Sequence, residues 1–204
     1  MNLADWAEDT ARRLLQTPLP RRWAHSQGVA AQARALDVLL GKDADLLTAA
    51  AWLHDIGYSP DLIDTGFHPL DGARYLGDIV QASDMLSRLV AHHSCAMIEA
   101  AQRGLADQLR REFERPRSDL ADALIYCDMT TGPDGQRLSV EQRLAEIRTR
   151  YGPEDPVTQA LVLSAPQLTN AVQRIERKLA KIAPTPCIRA SQTQDPAATQ
   201  SIWG

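Results

Sequence analysis

Histidine and aspartate side chains are the groups in this sequence whose types and spacing suit metal binding, because imidazole nitrogens and carboxylate oxygens are common metal ligands. The chain contains five histidines. Asp55 directly follows one of them, and Asp128 follows the apolar run at 124–127. A carboxylate at the end of an apolar helix is costly unless it is paired or bound to a metal. The candidate metal ligands are His25, His54, Asp55, His68, His92, His93 and Asp128.

These donors could bind two ions joined by Asp55, since a carboxylate has two oxygens with several lone pairs. His25, His54 and Asp128 could complete the ligands of one ion, and His68, His92 and His93 those of the other. Adjacent residues of a helix point about 100° apart. Both His92 and His93 can therefore bind only at a helix end, which Ser94, as the cap of a following helix, would provide.

The metal itself is predicted from the donor types. The three cysteines have no CxxC spacing, which argues against a structural zinc site. Imidazole and carboxylate donors favour a divalent metal, and we expect two ions, with iron or manganese preferred and cobalt, nickel, zinc or magnesium as alternatives.

The order of these residues resembles that of the HD-domain superfamily of metal-dependent phosphohydrolases. The string His54-Asp55-Ile56-Gly57 is the HDIG form of its signature, and the full set of histidines and aspartates resembles the subgroup with a dinuclear centre. Residues 22–29 are also similar to the opening of bacterial HD proteins that split diadenosine tetraphosphate symmetrically. The resemblance covers about residues 20–150. It implies an all-α fold, the HD-domain helical bundle, and a metal-dependent phosphohydrolase.

Residues around the signature narrow the comparison within the superfamily. No Gly-Tyr-Pro follows His68, unlike enzymes that hydrolyse cyclic di-GMP, and no Glu-Asp pair of the guanosine-tetraphosphate hydrolase type follows Asp55. The pattern of the dNTP triphosphohydrolases is also missing. Tyr58 stands where many dinuclear HD enzymes have lysine. The resemblance therefore implies a small phosphorylated substrate, a nucleotide or another phosphate ester, without fixing its identity.

The predicted catalytic residues are His54, Asp55 and Asp128. In this hypothesis a hydroxide held by the two ions attacks phosphorus in line, and the ions neutralise the charge that develops on oxygen. Asp55 would bridge the ions and set their separation. Asp128 would be a terminal ligand that also orients the attacking water.

Three arginines near these motifs are candidate substrate-binding residues, because a guanidinium group can donate two parallel hydrogen bonds to a phosphate. Arg22 precedes His25 by three residues, so the two share a helix face. Arg74 lies on the helix that His68 opens, and Arg137 follows the turn after Asp128.

Two other functions fit the same ligand set. Some HD proteins with a similar set are diiron oxygenases that act on C–H bonds and need iron and dioxygen. A non-catalytic regulator that binds a nucleotide is the other alternative, although such a protein has no reason to keep every metal ligand. Metal content and phosphate release distinguish the three.

The elements that must position these residues are helices, since apolar residues recur at helical spacing and no long stretch alternates apolar and polar residues. Helices are expected over about 4–16, 22–40, 43–55, from 68, from 83 to 93, and over 94–103, 106–113, 118–130, 139–150 and 155–182. We expect one domain over 1–183 and a flexible tail over 184–204, where Pro, Ser, Gln and Thr predominate.

The composition agrees with a globular protein of 204 residues, 44% of them hydrophobic. The net charge of −4 makes duplex nucleic acid an unsuitable partner. No apolar run is long enough to span a bilayer, the start of the chain is acidic, and the few cysteines suit a reducing compartment. The sequence thus predicts a cytoplasmic protein that does not bind membranes, and it is compatible with a homo-oligomer.

Overall fold

The computed structural model describes residues 2–116 and 119–182. The predicted tail at 184–204 lies outside these residues. The helices of the first half of the chain are α1 (Leu3–Leu15), α2 (Pro20–Arg34), α3 (Asp37–Leu40), α4 (Ala44–Leu53) and α5 (His68–Arg74). Those of the second half are α6 (Asp84–Ala91), α7 (Ala96–Gln102), α8 (Ala106–Glu112), α9 (Asp119–Met129), α10 (Val140–Tyr151) and α11 (Pro156–Ile182).

Short side chains fix where several helices begin. The Asn2 carboxamide oxygen accepts a hydrogen bond from the backbone N–H of Asp5 at 2.7 Å. The Ser83 hydroxyl oxygen accepts from the backbone N–H of Leu86 at the start of α6. Ser139 forms a reciprocal capping box with Gln142 at the start of α10. Each such cap satisfies a backbone donor that the helix itself leaves free, which contributes about 1 kcal/mol.

The segment predicted as one helix over 22–40 is divided in the structure. α2 ends at Arg34, and α3 begins at Asp37 after a tight turn. In that turn the N–H of Leu36 donates to the carbonyl oxygen of Ala33 at 2.9 Å. The turn places Leu36 in the core, where its side chain is fully buried. The free energy gained by burying Leu36 therefore outweighs what a continuous helix over 22–40 would contribute.

Among the described residues the secondary structure is entirely helical, so the predicted all-α class is confirmed. One isolated antiparallel bridge, between Thr131 and Arg137, closes the turn that follows α9. No helix in the described ranges is both long and apolar enough to cross a membrane.

One hydrophobic cluster runs through the described chain from α1 to α11. α4 lies within it and contacts α1, α2, α6 and α9. The indole rings of Trp23 on α2 and Trp52 on α4 are stacked with centroids 5.2 Å apart, which fixes these two helices against each other. α11 packs against α9, α7 and α10.

Two glycines allow the close approaches that the bundle needs. A Cβ atom on Gly28 in α2 would lie 2.6 Å from the carbonyl oxygen of Gly135. A Cβ on Gly57 would lie 2.0 Å from the carbonyl oxygen of His68. No side chain fits at either position without backbone movement. The first contact joins α2 to the turn after α9, and the second joins the end of α4 to the start of α5.

Candidate metal centre

Three buried residues from three helices form the first group of donors. His25 lies on α2, His54 directly follows α4, and Asp128 is near the end of α9. Each offers one donor atom, and these atoms all lie within 4.8 Å of one another. The Nε2 atom of His25 is 3.0 Å from Oδ1 of Asp128.

A second group of donors lies beside the first. Asp55, His68 and His93 also bring one donor atom each within 4.8 Å of the others. His68 is the first residue of α5, and His93 follows the end of α6. The Nε2 atoms of His68 and His93 are 3.1 Å apart.

Asp55 lies between the two groups and turns one oxygen toward each. Its Oδ2 is 3.4 Å from Nε2 of His54 and 4.0 Å from Nε2 of His25. Its Oδ1 is 3.4 Å from Nε2 of His68 and 3.9 Å from Nε2 of His93. A carboxylate with this orientation can bind an ion on each side.

Backbone carbonyls set the tautomers of three of the histidines. The Nδ1–H groups of His25, His54 and His93 donate to the carbonyl oxygens of Gly132, Ala51 and Val90, at 3.0, 2.8 and 2.7 Å. A carbonyl oxygen can only accept, so each Nδ1 carries a proton and each neutral ring presents the lone pair of Nε2 to the cluster. This arrangement is typical of histidines that bind metals.

The donor atoms of the cluster point at one another in a way that suits a cation bound between them. The buried Nε2 of His54 has no hydrogen-bond partner among the described residues. The lone pair of a neutral His25 faces a carboxylate oxygen of Asp128, and two facing lone pairs repel unless a proton or a metal lies between them. All the donors are nitrogen or oxygen, a set that suits iron, manganese, cobalt, nickel or zinc.

Positively charged neighbours keep the two carboxylates of the cluster ionised. Burial alone would raise the pKa of Asp55, but Arg22 and His54 outweigh it and hold that pKa well below its usual value. The pKa of Asp128 is likewise lowered, because His25, His54 and Arg143 outweigh burial. Burial lowers the pKa of His93. The pKa of His54 is raised, because the charges of Asp55 and Asp128 outweigh burial. The lowered pKa values of Asp55 and Asp128 keep both carboxylates ionised, as metal binding requires.

Ser94 and Arg143 hold Asp128 in place. The Ser94 hydroxyl donates to Oδ2 of Asp128, and Nη2 of Arg143 lies 3.7 Å from Oδ1. Ser94 has a φ of 48° and the next residue, Cys95, has a φ of 62°. These two left-handed residues turn the chain sharply after His93 and bring the Ser94 hydroxyl to the carboxylate.

Arg22 contacts the Asp55 oxygen that faces the first donor group. Its Nη1 donates to Oδ2 of Asp55 at 2.6 Å, and its Nη2 donates to the hydroxyl of Tyr151 at 3.1 Å. The guanidinium group also lies 3.9 Å from the centroid of the Tyr58 ring. On its other side the Tyr58 ring stacks against His68. Tyr58 thus orders both an arginine and a predicted ligand.

The cluster lies at the base of a pocket closed by α10 and α11. Asp55, His68, His93 and Asp128 form its polar base. Residues of the last two helices form its walls: Arg143, Ile147, Arg150 and Tyr151 from α10, and Val157, Leu161 and Leu168 from α11. The pocket gives a small molecule access to the candidate metal centre.

In contrast to the prediction, the structure does not bring His92 to the cluster. Its Nε2–H donates to the carbonyl oxygen of Phe113 at 2.8 Å. His92 is the residue that ends α6, and the following turn carries His93 inward while His92 remains against the 113–116 segment. The second group therefore contains Asp55, His68 and His93 rather than His92.

Arg74 and Arg137 also lie away from the pocket that contains the cluster. Arg74 forms ion pairs with Glu112 and Asp64, both at 2.8 Å or less. Arg137 donates to the side chains of Gln32 and Tyr126. Local acidic and polar partners on the outer surface hold both arginines, so neither is placed to contact a substrate at the centre.

Sequence reasoning missed Arg143, Ser94 and Tyr151. For Arg143 a signal was present: it shares a helix face with Glu146, Ile147 and Arg150, since they lie three, four and seven residues further on. The sequence predicts only a helix-capping role for Ser94. Nothing in the sequence indicated that its hydroxyl would reach Asp128.

The fold and site together define a class of protein: an all-α bundle in which buried histidines and aspartates from separate parts of the chain converge in two groups that could hold a metal ion. The family model described as "HD domain" matches residues 22–147 of the chain. The protein belongs to the HD-domain family, as the His54-Asp55-Ile56-Gly57 string indicated. Searches of curated proteins and of solved structures gave no match.

Proposed function

We propose that this protein is a metal-dependent phosphohydrolase whose substrate is a nucleotide or another small phosphate ester. Proteins of the HD-domain family are generally metal-dependent hydrolases. The observation that carries the proposal is the orientation of Asp55, whose two oxygens each lie 3.4 Å from a histidine of a different donor group. That orientation fits a bridging ligand in a centre with two ions, and iron or manganese is the preferred metal.

The proposed roles of the ligands follow from their contacts. His25, His54 and Asp128 would hold one ion, and His68 and His93 the other, with Asp55 shared. When bound, the ions would act as Lewis acids toward a phosphoryl oxygen and make water nucleophilic at neutral pH. The carbonyl oxygens that accept from Nδ1 keep His25, His54 and His93 oriented. Ser94 keeps Asp128 oriented in the same way.

Arg22 is the proposed substrate-binding residue next to the centre. Its side chain is held by Asp55 and Tyr151 and stacks on Tyr58, so little conformational entropy remains to be lost when it binds a phosphate. Because phosphoryl transfer depends chiefly on positioning and charge stabilisation, a preordered arginine at this place supports the proposed chemistry.

The proposal is tested by metal loading followed by a substrate panel. The purified chain is stripped with a chelator, reloaded separately with manganese, iron, cobalt, nickel, zinc or magnesium, and assayed for phosphate release without oxygen. The panel contains nucleotides, diadenosine tetraphosphate and simple phosphomonoesters. We expect turnover that depends on the metal and not on oxygen. Oxygen-dependent turnover of a C–H bond would instead support a diiron oxygenase, and metal-free protein that binds nucleotide without turnover would support a regulator.

A substitution at Asp55 tests the bridging role directly. Asp55→Asn should lower the metal content and reduce turnover by about 1000-fold or more, because the neutral amide binds cations poorly. Asp78 is an exposed aspartate in the π-helical segment Tyr75–Ile79 that follows α5. Asp78→Asn is the matched control and should leave both metal content and turnover unchanged. Full metal content and activity in Asp55→Asn would overturn the assignment.

A further inference from the structure

One face of α10 presents a row of charged residues along the wall of the pocket. Arg143, Glu146, Ile147 and Arg150 recur at the spacing that places side chains on one side of a helix. Arg143, Ile147 and Arg150 all border the pocket whose base is the candidate metal centre. The face therefore brings two positive charges to the pocket from a single rigid element.

Glu146 joins the two arginines of this face. Nη1 of Arg143 donates to Oε2 of Glu146 at 2.6 Å. Nε of Arg150 lies 3.3 Å from the other oxygen, Oε1. One carboxylate thus contacts both guanidinium groups and fixes their separation, while each keeps other N–H donors unused by Glu146.

Arg143 has donors that the protein leaves unsatisfied. The residue is 3% exposed, and its buried Nε has no hydrogen-bond partner among the described residues. Its Nη2 is 3.7 Å from Oδ1 of Asp128, which is longer than a hydrogen bond. Buried polar groups are almost always hydrogen-bonded in native proteins. A buried guanidinium group with free donors beside a pocket indicates a missing acceptor.

We propose that Arg143 and Arg150, held by Glu146, form an anion-binding clamp for the terminal phosphoryl group of the substrate. This inference rests on the proposed function and adds a substrate class to it. The clamp approaches the pocket from α10, whereas Arg22 approaches from α2. The substrate's phosphate would therefore lie between arginines of two helices and above the carboxylates of the centre.

The number of cationic groups favours a terminal phosphate over a phosphodiester. A terminal phosphoryl group has three non-bridging oxygens and up to two negative charges, whereas a phosphodiester has two such oxygens and one charge. Three arginines border the pocket, namely Arg22, Arg143 and Arg150. The apolar side chains of Val157, Leu161 and Leu168 form another wall, against which the esterified group would pack. The clamp thus fits a phosphomonoester or the end of a polyphosphate chain.

Binding of inorganic phosphate tests the clamp without requiring turnover. Isothermal titration calorimetry of the manganese-loaded chain would measure phosphate and, separately, dimethyl phosphate as a mimic of a diester. We expect Arg143→Gln and Arg150→Gln each to weaken phosphate binding by about 10-fold or more, since each removes a charged donor. Dimethyl phosphate should bind more weakly than phosphate and be less affected by either change.

Arg148→Gln is the matched control, because Arg148 lies on the same helix but borders a separate surface groove. It should change phosphate affinity by less than about twofold, as expected for an exposed charge at a distance. Circular dichroism and metal analysis check that each variant is folded and loaded. Arg143→Lys retains the positive charge in the buried position and is therefore a milder change than Arg143→Gln. Arg150→Gln changes a less buried residue, so the test can still be made if Arg143→Gln does not fold.

The outcomes separate this inference from the proposed function. Unchanged phosphate affinity in folded, loaded Arg150→Gln, and in Arg143→Gln where that variant folds, would overturn the clamp, even if the wild type hydrolyses phosphate esters. Absence of phosphate binding to the loaded wild type would overturn it as well. Phosphate binding that depends on both arginines, in a protein that hydrolyses no phosphate ester, would support the clamp and contradict the proposed function.

Discussion

Gly57 and His68 are in direct backbone contact: a Cβ atom on Gly57 would lie only 2.0 Å from the carbonyl oxygen of His68 and 2.7 Å from the backbone nitrogen of Gly72. Gly57 follows Asp55 by two residues, and His68 begins α5. The contact therefore sets the distance between Asp55 and His68, whose Oδ1 and Nε2 atoms are 3.4 Å apart. The glycine of the His-Asp-Ile-Gly string has a steric role in assembling the candidate metal centre.

Gly57→Ala should separate these two elements and weaken the second donor group. Both obstructing atoms belong to the backbone, so α5 must shift, and we expect a loss of about 2–3 kcal/mol of stability. Metal content should fall because His68 moves from Asp55. Urea unfolding and metal analysis measure the two effects.

Gly77→Ala provides the control for this substitution. The Cβ atom at Gly77 would meet nothing closer than Oγ of Ser87, at 3.8 Å. The change should therefore alter stability by less than about 1 kcal/mol and leave metal content unchanged. If Gly57→Ala were as stable and as metal-rich as Gly77→Ala, the steric role of Gly57 would be excluded.

The sequence was sufficient for the class of fold and for the family, because both depend on local patterns. Helical periodicity predicted an all-α chain, and the His54-Asp55-Ile56-Gly57 string indicated the HD domain, which the family model also matches. The boundary of α2 was not predictable in the same way. The turn after Arg34 exists because Leu36 is buried by tertiary contacts, and local propensity does not report them.

The sequence was sufficient to name most of the residues of the candidate site. It was not sufficient where tertiary contacts or an unusual backbone turn decide which way a side chain points. The structure brings together six of the predicted ligands. His92 and His93 are adjacent and identical in type, and what separates them is the left-handed backbone at Ser94 and Cys95. Neither residue is glycine, so no residue type marks that turn. The direction of the Arg74 side chain likewise depends on its ion pair with Glu112, which is distant in the chain but close in the fold.

The pair His92 and His93 provides a test of the observed geometry. His93→Gln should lower the metal content and reduce turnover by about 100-fold or more, because it removes a ligand. His92→Gln should leave both unchanged and cost at most about 1 kcal/mol of stability, since it alters one hydrogen bond to Phe113. Metal analysis and kinetics of the two variants side by side measure the difference. Equal metal loss in both would contradict the placement of His92.

The ion pair of Arg74 with Glu112 should stabilise the fold and not serve catalysis. Hydrogen bonds from Arg74 lower the pKa of Glu112 below its ordinary value of 4.5. A lowered pKa in the folded state means that the stabilisation is fully present above pH 4.5 and is lost as the pH falls through the folded-state value. Because both side chains are partly exposed, the pair should contribute less than about 1 kcal/mol.

A double-mutant cycle of Arg74→Gln and Glu112→Gln isolates this contribution. Urea unfolding at about pH 7 and about pH 3, on either side of the carboxyl titration, should show a coupling energy that disappears in acid. Arg74→Gln should retain the wild-type turnover at neutral pH. A coupling energy that grows in acid, or a large loss of turnover in Arg74→Gln, would refute the assignment of Arg74 to the outer surface.

Asp71 should stabilise the loop that leads into the centre. Its carboxylate is 3% exposed and accepts hydrogen bonds from the backbone N–H groups of Asp64, Thr65 and Gly66 and from the Thr65 hydroxyl. Asp71→Ala leaves these donors without their acceptor, so we expect a loss of about 2–4 kcal/mol. His68 follows this loop directly, and its orientation should loosen as well. Thermal unfolding measures the first effect and metal content the second, with exposed Asp78→Ala as the control. Asp71 is not itself among the candidate metal donors. Excess metal should therefore restore much of the lost metal occupancy in Asp71→Ala but not in Asp55→Asn. Equal failure of the two variants to reload would show that Asp71 acts on the metal directly.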